Sequence, residues 1–187
     1  MTARPLATLA AALLMAAQME IPMAQAQTQQ QTQAGPRLPN GATSLNETYQ
    51  DWAVACAAGD KGRVCVMSQR QRKTDTSQLV LAAEFDAVSA GSVKGALVLP
   101  FGLRLADGVV AQIDDRPALK ALPFATCLPA GCIVPVVFDG DALKALRSGT
   151  TLKLTAKAHD TGRNVAFGVS LKGFAAAQDR VAALSAQ

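Results

Sequence analysis

Histidine occurs once in this chain, at His159. A nucleophile triad needs an imidazole within reach of a serine or cysteine. His159 stands beside Lys157 on the polar side of an alternating strand, so a solvated residue is expected and serine-protease chemistry finds no support. Charge is scarce too, at 17% of residues, with a net +4. That excess favours anionic surfaces weakly. It is too small to point to nucleic acid, and no nucleic-acid motif is present. A glycine-rich phosphate loop is missing, since Gly91 and Gly95 flank Ser92-Val93-Lys94 without the required pattern. No segment after the N-terminal region could cross a bilayer as a helix.

Paired carboxylates are equally thin. Asp114-Asp115 falls in a turn with Arg116-Pro117, and Asp139 and Asp141 stand where a helix begins. Turn and cap roles account for both pairs, and Asp139-Gly140-Asp141 shows too few partners for a calcium site. No catalytic residue, cofactor or metal ligand is therefore expected.

What is present begins with a leader. Arg4 precedes the apolar run Leu6–Ala17, and Ala24-Gln25-Ala26 supplies the small residues of a cleavage site. The run is too short to span ~30 Å of hydrocarbon and is broken by Gln18, Glu20 and Pro22. Residues 1–26 are expected to be a secretory signal peptide. Residues 27–48, rich in Gln and Pro with few large apolar groups, are expected to be a disordered tether. A single domain is expected over 49–187.

The leader gives the four cysteines their meaning. In an oxidising compartment an even number reads first as disulfides. Four cysteines allow three pairings, of which Cys56–Cys65 and Cys127–Cys132 are the local choice. Neither spacing matches a zinc knuckle or a redox-active pair with a two-residue spacer.

Period-2 alternation recurs along the domain. Asp51–Ala57 places Trp52, Val54 and Cys56 on one face, and Arg63–Arg70 returns after a Gly-Asp-Lys-Gly turn. Strands follow at Gln78–Phe85, Gly95–Phe101, Val109–Ile113, Cys132–Phe138, Thr151–His159 and Asn164–Lys172. Cys132–Phe138 is apolar on both sides and reads as covered on both faces, with Pro135 marking an edge or bulge. Ala142–Arg147 reads as a short helix, and Phe174, Ala177, Val181 and Leu184 recur at helical spacing. The fold expected is mainly β: an antiparallel sandwich or open barrel with a short internal helix and a C-terminal helix. The basic stretch Gln69–Lys73 has two readings. It is an exposed strand end blunted by charge, or a contact patch built from Arg70, Arg72 and Lys73.

An ordered set of short motifs adds a family. Asp51-Trp52-Ala53-Val54-Ala55-Cys56, Cys65-Val66-Met67-Ser68-Gln69 and Leu97-Val98-Leu99-Pro100-Phe101-Gly102 are followed by Leu122-Pro123-Phe124 and Cys127…Gly131-Cys132. The series ends at Val169-Ser170-Leu171-Lys172-Gly173-Phe174. From Gln50 to about Leu184 the chain resembles the invasion-associated locus B family of bacterial secreted proteins. The resemblance implies a periplasmic protein, outer-membrane-associated or secreted, of a Gram-negative bacterium, and brings no catalytic residues with it.

Together these readings lead us to expect a non-enzymatic envelope protein that binds a protein, a glycan or an anionic lipid surface. Its partner would belong to the envelope or to a host surface. A carboxylate-based hydrolase or enzyme accessory, and a thiol-redox protein, are the alternatives.

Overall fold

The computed structural model describes residues 38–59 and 62–185. The leader expected over 1–26 and the tether residues 27–37 lie outside them. Ten strands appear among the described residues: β1 (Ser44–Tyr49), β2 (Trp52–Gly59), β3 (Gly62–Arg72), β4 (Leu79–Val88), β5 (Ser92–Leu99), β6 (Val110–Ile113), β7 (Thr126–Leu128), β8 (Gly131–Asp139), β9 (Thr151–Lys157) and β10 (Asn164–Ser170). Helix α1 (Gly140–Ser148) separates β8 from β9, and α2 (Phe174–Ser185) follows β10.

All pairings are antiparallel. One sheet runs β1-β2-β3-β4-β5-β8-β7 and the other β10-β9-β6. The fold is mainly β, as expected. Alternation sets the inner face of the large sheet, because a strand's side chains point to opposite sides in turn. Val54 stands opposite Met67, Met67 opposite Phe85, and Phe85 opposite Gly95, which faces Val136. On this face Trp52 stacks on Phe85 and meets Phe174 of α2 edge-on, and Phe85 also meets Phe138 and Phe174 edge-on. All four rings are fully buried. Burying such a side chain contributes roughly 1.5–3 kcal/mol, and well-oriented aromatic pairs add about 0.5–1.5 kcal/mol. The small sheet adds Leu152, Leu154 and Val169 to the same core.

Several expectations change. The tether ends earlier than residue 48: Leu38 is buried, and Ser44–Tyr49 pairs with β2 along its length. This strand is polar in sequence, and only alternate residues meet the core. The other strand beyond the eight expected is β7, three residues long and held beside β8 through the Cys127–Cys132 register.

The covered-on-both-faces reading of Cys132–Phe138 is also corrected. Pro135 and Val137 are exposed, so only one face is covered. Pro135 does lie on a partly open flank, because β7 pairs only with Gly131–Ile133. The stretch Gln69–Lys73 does hold the end of β3, where Arg70 and Arg72 are exposed and the pairing with β2 stops at Ser68, but its first residue, Gln69, is buried. Asp139 takes the N-cap position of α1 without a side-chain cap bond, while Asp141 pairs with Lys144.

Candidate functional site

The four cysteines form Cys56–Cys65 and Cys127–Cys132, and no free thiol remains among the described residues. Each bridge joins directly opposed residues of neighbouring strands. They close hairpins, which is a structural task.

Arg70, Arg72 and Lys73 do not converge on a site. Arg70 Nη2 lies 2.7 Å from Glu84 Oε1, across the β3–β4 pairing. Arg72 Nη1 donates to the Ser77 carbonyl at 2.9 Å, and Lys73 is exposed in the following turn. Two of these cations are thus spent on local partners.

The carboxylates of interest are structural as well. Asp114 accepts the Thr150 hydroxyl at 2.6 Å and the backbone N–H groups of Thr150 and Thr151. Those hydrogen bonds, the Thr150 hydroxyl first, hold its carboxyl below the ordinary range. A group kept ionised in this way is suited to bracing a strand end, and is the opposite of a general acid with a raised pKa. Asp115 pairs with Lys153 at 3.1 Å.

A different cluster forms where the chain leaves β5. Residues Gly102–Arg104 run antiparallel to the end of β9: His159 N–H donates to the Gly102 carbonyl and Arg104 N–H to the Lys157 carbonyl, both at 2.8 Å. A short 3-10 turn, Leu105–Asp107, follows. This brings Leu103, Arg104, Leu105, Ala106, Asp107 and His159 around one shallow pocket of about 600 Å³. Lys157 Nζ reaches Asp107 at 3.3 Å on its rim.

Arg104 is the notable cation here. Its Nε donates to the His159 carbonyl at 3.4 Å, which leaves the terminal nitrogens directed elsewhere. The guanidinium packs over Gly162, whose φ of +68° suits glycine and where a Cβ would lie 3.0 Å from Nη2. Leu105, which lines the same pocket, is 43% exposed. An exposed guanidinium and an imidazole beside an exposed apolar side chain can hold an anionic group that carries apolar neighbours.

The sequence shows His159 but hides its neighbours, because Arg104 comes 55 positions earlier and reads as a connector. One signal could have exposed another hidden group, Gln69. It follows Cys65 and Met67 at period two, so a polar residue occupies an inward position. Gln69 is 8% exposed, and it bonds to β10.

Comparison with known proteins agrees across sequence and structure. The family model described as Invasion associated locus B (IalB) protein matches residues 52–182. An Invasion protein B homolog of Brucella abortus is 49% identical over 148 residues, covering 79% of this chain and 85% of that protein. Invasion protein B of Bartonella bacilliformis is 36% identical over 149 residues, covering 79% and 80%. The crystal structure of invasion associated protein B from Bartonella henselae superposes with a TM-score of 0.70 at 35% identity, covering 76% of this chain and 97% of that one.

Proposed function

This chain belongs to the invasion associated locus B family, and on that premise we propose that it is a non-enzymatic protein of the bacterial cell envelope that binds an anion-bearing partner surface. The observation that carries this reading is the pocket at Leu103–Asp107 and His159, where Arg104 offers unspent donors beside exposed Leu105. Arg104 would meet the anionic group, and Leu105 with Ala106 would cover the apolar part of the contact. The partner is an envelope or host-surface protein, glycan or lipid that presents such groups. A part in host-cell interaction accords with the relatives' names.

Location outside the cytoplasm is part of the same proposal. The sequence pattern of residues 1–26 and the two disulfides support it. The test is capture on immobilised residues 27–187 from envelope extracts and from host-membrane extracts. The expected result is a saturable partner released by salt. Absence of any saturable, salt-sensitive partner from both extracts would sink the proposal.

A further inference from the structure

The outer face of the seven-stranded sheet is mixed. An antiparallel sheet covered on one side normally turns polar residues to water on the other, and Ser68, Arg70, Glu84, Asp86 and Lys94 do so here. Among them stand the outward apolar positions Ala55, Val64, Val66, Ala96, Pro135 and Val137. Val64 is 62% exposed and Val137 58%. The burial of Phe174 among inward-facing rings puts α2 on the opposite side. We propose that this outer face is the interface of a homodimer, packed sheet against sheet.

Area and charge both favour a second copy. Six strands spaced ~4.8 Å apart, each rising ~3.3 Å per residue over about eight residues, present a face of roughly 29 by 26 Å. That is about 750 Å², close to the ~800 Å² per partner of a standard stable interface. Charge over its middle is balanced. Arg70 pairs with Glu84, and Asp86 and Lys94 line one shallow depression. A chain with a net +4 can therefore meet its own copy here without like-charge repulsion across the middle of the contact. A strongly charged partner would find no complementary field there. Around the paired Arg70 and Glu84 and the Asp86–Lys94 depression the apolar outward side chains are short, so two such sheets can approach toward the ~10 Å separation of a sandwich.

The interface is separate from the Arg104 pocket and does not depend on it. Sedimentation equilibrium on oxidised residues 27–187, up to about 100 µM, tests it with Val137→Lys and Val64→Lys beside the wild type. Both positions are exposed, so circular dichroism and thermal unfolding at dilutions where the chain is monomeric should stay unchanged. The wild type should be a reversible dimer. Each lysine should raise its dissociation constant at least tenfold, while Val137→Ile leaves it alone. A wild type that stays monomeric throughout, or a dimer indifferent to both lysines, would overturn the proposal.

Discussion

Gln69 holds Ser170 by both ends of its side-chain amide: Oε1 accepts the Ser170 N–H at 2.9 Å, and Nε2 donates to the Ser170 carbonyl at 3.0 Å. Ser170 closes β10, which lies at the edge of the small sheet. Trp52 Nε1 donates to the same carbonyl at 2.9 Å, and Gln71 Nε2 reaches the Gly168 carbonyl at 2.6 Å. Side chains of β2 and β3 thus occupy the hydrogen-bonding edge that another strand would otherwise fill, and they tie the two sheets together.

Replacing Gln69 by alanine removes the partner of the Ser170 N–H. An unsatisfied polar group costs about 1–3 kcal/mol. Urea unfolding of Gln69→Ala should show a lowered midpoint by that measure with an unchanged slope. Gln71 is less buried, so Gln71→Ala should lose less. Equal losses in the two variants would count against the role given to Gln69.

The disulfides close short loops, with sequence separations of 9 and 5. In the chain-entropy account each contributes roughly 2–3 kcal/mol. Paired Cys→Ala replacement of either bridge should lower stability by about that amount in urea. Mass spectrometry without reductant should find both bridges closed in the wild type. A free thiol in the folded, oxidised protein would reopen the thiol-redox reading.

Acid should weaken the fold through three carboxylates. Glu47 is held below its ordinary 4.5, first by the hydrogen bonds from Arg180 and then by that from Tyr49. Asp179 and Asp114 are held below 3.8, by Arg147 and by Thr150 and Thr151 respectively. Since these folded pKa values are depressed, the unfolded chain takes up protons first as pH falls. Their stabilisation is full above the ordinary values and is lost as pH drops through the folded ones. Melting temperature should therefore fall below about pH 4.5, and Glu47→Gln should flatten that fall. An acid limb as steep in Glu47→Gln as in the wild type would show that this group contributes little.

Strands with clean alternation were legible in the sequence because one face of each meets the core. β2 and β9 are of this kind, and the inward set of α2 is equally plain at helical spacing. The polar edge strand β1 and the three-residue β7 carry too little apolar signal, and pairing alone defines them. Gln69 reads as the start of a basic surface because the packing of β10 against it is not written in local sequence. Arg104 gives no local signal for the same reason. Its meaning comes from β9 running beside Gly102–Arg104, a long-range contact.

On the proposed function, binding runs through the Arg104 corner. Quantitative capture from the same extracts should compare wild type with Arg104→Glu and, as a control for charge alone, Lys172→Glu. Binding should fall at least tenfold with Arg104→Glu and stay near the wild-type level with Lys172→Glu, an exposed residue beyond the far end of β10. Undiminished binding by Arg104→Glu, or loss confined to Lys172→Glu, would contradict it.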